Sequence, residues 1–283
     1  MKRKPEWMRV RLSSTAHLNK VKSLLESYQL NTVCEAANCP NRLECFGSKT
    51  ATFMILGKEC TRHCKFCNVT SNPPEEVMKT EPKNVAKAIA ELGLKHAVVT
   101  SVTRDDLIDE GAEHFYQTVV EIRKLNPETS IEVLTPDFNG RRSLINRVVE
   151  ANPDVYNHNI ETVKSLYESV RPEADYDQSL EVIRLVKDIN PNMTTKSGIM
   201  LGLGETEDQV IQTLKDLRHA GCDIVTIGQY MQPSKKHIEL VEYIHPDTFK
   251  KYEDIAYEIG FLAVASSPLV RSSYKALESY QKI

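Results

Sequence analysis

Short apolar runs alternate with helical patterns from Ala51 to Tyr230, and this alternation limits the fold more than any other feature of the sequence. The runs Ala51–Leu56, His96–Ser101, Ile131–Thr135, Val155–Asn159, Lys196–Leu201 and Ile224–Gln229 have the length and composition of strands. Between them, Val85–Leu92, Gly111–Leu125, Arg141–Glu150, Val163–Val170, Gln178–Ile189 and Glu207–Ala220 place apolar residues at helical spacing. Strands that alternate with helices pair in parallel, with the helices packed outside. A closed eight-unit barrel takes ~250 residues, so the span 51–230 holds about six units. The expected fold is α/β: a partial (β/α)6 TIM-type barrel, open on one side. Residues 1–50 then form an N-terminal extension, 51–230 the barrel, and 231–283 a C-terminal capping segment. Phe261–Ser266 is a further strand candidate. Residues 12–30 carry Leu18, Val21, Leu24 and Leu25 at helical spacing, and residues 31–50 read as loop. Thr70–Pro82 reads as an exposed loop, and Lys275–Lys282 as a helical tail.

The cysteines narrow the chemistry. Of seven, six lie between Cys34 and Cys67, and Cys222 stands apart. Met1–Arg11 has positive charges but no apolar core after them, so no secretory signal is expected. No apolar run approaches the ~20 residues needed to span a bilayer. A cytoplasmic location is expected, and in a reducing compartment clustered cysteines point to metal or catalysis. The net charge of −3 is too acidic for a general nucleic-acid binder.

Cys60, Cys64 and Cys67 directly follow the first strand candidate, on the catalytic face of a β/α barrel. Three thiolates so close can hold three corners of an iron–sulfur cubane and leave the fourth iron open, as a catalytic metal requires. Cys34, Cys39 and Cys45 form a second triad with wider spacing. Two four-iron clusters need eight ligands, so at least one iron takes something other than cysteine. Zinc is the alternative, since cysteine-rich loops with short gaps are common zinc sites. His63 is a poor fourth zinc ligand because it adjoins Cys64. Cys222 reads as a buried core residue.

Cys60-x-x-x-Cys64-x-x-Cys67 resembles the signature of the radical S-adenosylmethionine (SAM) enzymes, and Phe66 matches the aromatic residue before their third cysteine. Cys34, Cys39 and Cys45 resemble the auxiliary-cluster motif of the lipoyl synthase family. Further matches are Ala51–Gly57, Thr100–Val102, Arg104–Leu107, Pro136–Phe138, Asn157–Thr162, Thr195–Gly198, Leu201–Thr206, Gly228–Tyr230 and Arg271–Tyr274. The resemblance runs in order over about residues 30–276.

It implies two [4Fe–4S] clusters and SAM as cosubstrate. Each of two SAM molecules yields a 5′-deoxyadenosyl radical, and the radicals abstract hydrogen at carbons six and eight of a protein-bound octanoyl-lysine. The auxiliary cluster gives up the two sulfurs inserted there. The implied partners are octanoylated lipoyl domains of 2-oxoacid dehydrogenases, the glycine cleavage H protein, an electron donor and an iron–sulfur carrier, with neither nucleic acid nor membrane. The resemblance also implies Ser273 as the oxygen ligand of the auxiliary cluster, with Arg271 favouring its ionised form. Phe66, Ser101, Asn159, Glu161, Lys196, Gly202 and Gly204 are expected beside SAM. Taken alone, Gly202-Leu203-Gly204 also fits a tight βα turn, Asn159 and Glu161 a polar strand end, and Ser272-Ser273 a helix cap. A biotin-synthase-like enzyme acting on a free small molecule and a non-catalytic metal module are the rival readings.

Overall fold

A computed structural model describes residues 3–8, 16–39, 41–47, 50–274 and 276–283; for 16–20, 43, 46, 47, 50 and 51 it describes the backbone alone. One sheet runs in chain order through β1 (Asn31–Thr32), β2 (Thr50–Ile55), β3 (His96–Ser101), β4 (Ser130–Leu134), β5 (Val155–Asn157), β6 (Thr194–Leu201), β7 (Ile224–Gln229) and β8 (Ala263–Ser266). β2 to β8 pair in parallel, and β1 lies antiparallel on β2. Among the described residues β8 pairs with β7 and does not return to β1 or β2, so the barrel stays open. The six expected strands are β2 to β7, and the Phe261–Ser266 candidate supplies a seventh parallel strand, β8.

The strands are buried on both sides, as parallel strands between helices must be. All six residues of β7 are buried. Helices Glu81–Leu92, Ala112–Leu125, Arg142–Glu150, Tyr176–Ile189, Glu207–His219 and Pro246–Ile259 cover the outside. Val85, Ile89, Phe115, Val119 and Ile122 fill the layer behind the first strands. Leu180, Ile183, Val210, Leu214 and Phe249 fill it behind the later ones. Thr206 and Gln209 form a capping box that starts Glu207–His219.

Three expectations need correction. Residues 31–50 are not plain loop: β1 and the helices Val33–Ala36 and Arg42–Gly47 lie there. Docking on β2 supplies β1 with backbone partners that its own sequence does not announce. Val163–Val170 is not one helix but a 3-10 turn, Lys164–Leu166, followed by the single turn Tyr167–Val170. Helix Pro246–Ile259 lies beyond the six helices expected from the alternating span. Its signals were Pro246 in the first turn and Gly260, which closes it in the left-handed region at φ 103°.

Candidate active site

The loop after β2 is tied down at both ends. Cys60 N donates to Thr70 O at 2.8 Å, and Thr61 N to Thr103 O at 3.0 Å. Thr103 N donates to Cys60 Sγ at 3.3 Å. Lys65 N donates to Val170 O at 2.9 Å. Between the first two cysteines, Arg62 turns inward. It makes a bidentate pair with Asp105, at 2.9 Å for each bond, and a third bond to Asp137 at 2.7 Å. The loop is thereby clamped to the ends of β3 and β4.

The second triad sits on two short helices beside β2. Cys34 is buried on Val33–Ala36, Cys39 N donates to Cys34 O at 3.0 Å, and Cys45 lies on Arg42–Gly47. Burial, and then the neighbouring thiols, push Cys34 up to about 11 and Cys45 up to about 12. Burial likewise pushes Cys67 up to about 12, with Cys64 and Cys60 adding to it. Cys64 is raised by burial and pulled back by the Arg171 guanidinium. Buried thiols that repel one another as anions suit a cationic iron cluster, whose charge offsets the cost of ionising them.

All six cysteines line one cavity of about 580 Å³, together with Phe66, Ser101, Asn159, Glu161, Ser272 and Ser273. Residues 268–274 reach it across the strand ends. A Cβ on Gly228 would collide with the Val270 carbonyl, so only glycine lets this segment lie so close to β7. Asn41 Nδ2 donates to Leu269 O at 2.5 Å, and Tyr274 OH to Glu44 at 2.9 Å. Ser273 accepts from Thr52 Oγ1 at 2.8 Å, and Thr52 also hydrogen-bonds the Cys34 thiol. Ser272 instead accepts from Asn159 Nδ2 at 2.7 Å. Among the described residues Asn159 Oδ1 and Ser101 Oγ are buried and have no hydrogen-bond partner, so each can serve a bound group. Glu161 has φ 64°, and burial raises its carboxyl while Arg171 opposes the rise.

Three expected SAM contacts are not in the cavity wall. Lys196 is fully buried, and its Nζ lies 2.9 Å from both oxygens of Glu132. Its charge is satisfied inside the sheet. Gly202 and Gly204 belong to a turn that commits two amides to its own Glu205: Gly202 N donates to it at 2.6 Å and Leu203 N at 2.9 Å. A Cβ on Gly202 would collide with Gln229 and the Glu242 carbonyl, so packing explains that glycine. Cys222 is completely buried, with Sγ 3.1 Å from Ile224 O.

Sequence reasoning missed Arg171, Arg62 and Thr52. Arg171 lines the cavity, and its Nη1 donates to Tyr167 OH at 2.8 Å and Asn159 O at 3.2 Å. Its signal is weak, a lone arginine after a short helix. Arg62 and Thr52 stood inside recognised motifs, but their partners are remote in sequence.

An open parallel α/β barrel with three cysteines in the first strand-end loop is the architecture of a radical SAM protein. The family model for the Radical SAM superfamily matches residues 54–228. A lipoyl synthase of Alkaliphilus metalliredigens is 55% identical over 282 residues, covering 100% of this chain and 97% of its own. One from Caldanaerobacter subterraneus subsp. tengcongensis is 57% identical over 274 residues, covering 97% and 96%. The chain belongs to the lipoyl synthase family of the radical SAM superfamily. In fold alone it is similar to Streptococcus suis SuiB solved with S-adenosylmethionine. That likeness has a TM-score of 0.59 at 10% identity and covers 85% of this chain and 51% of the other.

Its cofactors are [4Fe–4S] clusters and SAM, and its substrate is a lipoyl-domain protein. Among the described residues no three His, Cys, Asp or Glu side chains are placed to hold a single metal ion. Nor is any described helix long and apolar enough to cross a membrane.

Proposed function

We propose that this chain inserts sulfur at carbons six and eight of a protein-bound octanoyl-lysine, and that the work is divided between its two cysteine triads. The observation that carries this reading is the single cavity shared by both triads and the C-terminal serines. Cys60, Cys64 and Cys67 hold the SAM-binding cluster. Cys34, Cys39, Cys45 and Ser273 hold the auxiliary cluster. When bound, these groups supply a 5′-deoxyadenosyl radical and the sulfur. A methylene C–H has no acidic proton, so side-chain acids and bases cannot activate it; the protein positions the chain and excludes water. Phe66, Ser101, Asn159 and Glu161 orient SAM, and Arg62 holds its loop in place.

Residues 1–50 carry the auxiliary triad, 51–230 are the radical SAM barrel, and 231–283 close it. The carriers are the lipoyl domains of 2-oxoacid dehydrogenases and the glycine cleavage H protein. An electron donor and an iron–sulfur carrier serve the enzyme in the cytoplasm.

Anaerobic incubation with an octanoylated lipoyl domain, SAM and a reductant, read by mass spectrometry, tests the reading. Cys64→Ala should lose both 5′-deoxyadenosine and lipoyl product. Cys39→Ala should keep 5′-deoxyadenosine and lose product. A Cys39→Ala protein that still forms lipoyl product from its own sulfur would sink the division of labour.

A further inference from the structure

We propose that Lys65, Lys235 and Lys236, exposed beside the cavity mouth, form a docking surface for an acidic face of the carrier that bears the octanoyl-lysine. This rests on the reading above, in which the substrate is protein-bound. An acyl chain attached to a protein reaches the cavity only if its carrier settles on the mouth, so the rim residues meet the carrier.

Two segments form this part of the rim. Ile238 N donates to Lys65 O at 3.0 Å, and His237 Nε2 lies 3.0 Å from Cys67 O. Phe66 and Cys67 on one segment, and Met231, Gln232 and Pro233 on the other, line the cavity. Ser234 then shapes a turn: its Oγ lies 2.9 Å from His237 Nδ1 and accepts from Lys236 N at 3.2 Å. The turn leaves Lys235 and Lys236 exposed, as Lys65 is. Among the described residues none of the three has a carboxylate at ion-pair distance, whereas Lys58, Lys164, Lys250 and Lys251 each have one. Glu239, exposed at the end of the same segment, and Glu173, exposed and hydrogen-bonded to His63 two residues before Lys65, offset part of this charge. The rim is thus locally basic on a chain of net charge −3.

A basic rim attracts acidic partners, raises encounter rates and loses its effect in salt. Acylation removes the target lysine's own charge, so acids beside it on the carrier meet the rim without competition from it.

The test compares an octanoylated lipoyl domain with a short, acid-free octanoyl-lysine peptide, at low and high salt. In the double variant Lys235→Glu, Lys236→Glu, KM for the domain should rise about tenfold. Its dependence on salt should largely vanish, and turnover of the peptide should match wild type. An unchanged KM and salt dependence for the domain would overturn the proposal. So would an equal loss on the peptide, because the lysines would then act within the site. Absence of sulfur insertion by the wild-type protein on either substrate would overturn the underlying reading, and docking with it.

Discussion

Arg62 Nη1 donates to Asp137 Oδ2 at 2.7 Å, and this buried pair joins the cysteine loop after β2 to the chain beyond β4. Arg62 also holds Asp105 beyond β3, so one guanidinium spans three strand ends. Because it lies between Cys60 and Cys64, it sets how the loop presents its thiols.

Arg62→Met should therefore leave Asp137 buried without its cation, at a cost of about 3–5 kcal/mol. Burial would raise the Asp137 carboxyl, but the hydrogen bond and charge of Arg62 hold it down to about 2. A carboxyl depressed on folding adds stability above its ordinary value of 3.8, and that stability is lost as pH falls through about 2. Thermal unfolding across this acid range should show the slope in wild type and a weaker one in Arg62→Met. Iron per chain, measured after reconstitution, should also fall in the variant. Wild-type iron content and an unchanged acid slope would show that the clamp does neither job.

The two C-terminal serines have different neighbours, and their variants should differ accordingly. Ser273 meets Thr52 beside Cys34, whereas Ser272 meets Asn159. Ser273→Ala should reduce lipoyl formation more than 5′-deoxyadenosine formation. A hard alkoxide is a weaker partner than thiolate for cluster iron, which suits a corner that must open. Ser272→Ala should be milder on lipoyl formation. Equal effects of both variants on product would remove Ser273 from its assigned place.

Cys222 is packed rather than poised. Cys222→Ala should cost about 1 kcal/mol, since it removes a small buried group from a tight site. Iron content and both products should stay at wild-type level. Loss of iron in that variant would make Cys222 a ligand.

Lys196 belongs to the fold. Glu132 is buried with it, and although burial would raise that carboxyl, the Lys196 charge and then the hydrogen bond of His96 hold it down to about 2. Lys196→Met should destabilise the protein by about 3–5 kcal/mol, because it strands a buried carboxylate. The pair Glu132→Gln, Lys196→Met should recover most of that loss. KM for SAM in the recovered double variant should equal wild type; a large rise would return Lys196 to the SAM site.

Much of this molecule was legible in the order of its residues. The alternation from Ala51 to Tyr230 determined parallel strands and outer helices, because each amphipathic helix must bury its apolar stripe on the sheet. The spacing of Cys60, Cys64 and Cys67 determined a chelating loop, because residues that close must share one site. Tertiary structure decided the rest. It seated Val270 against Gly228 and Leu269 against Asn41, bringing the C-terminal serines to cysteines more than two hundred residues away in the chain. It gave Lys196 to Glu132, and the amides of Gly202 and Leu203 to Glu205, and it left Lys196, Gly202 and Gly204, whose types suited a ligand, outside the cavity wall. It placed Arg62 between two acids that follow other strands. Pattern and spacing act over a few residues, so they set local form. Which buried charge meets which depends on how the strands align and what the closing segments cover, and no local spacing encodes that.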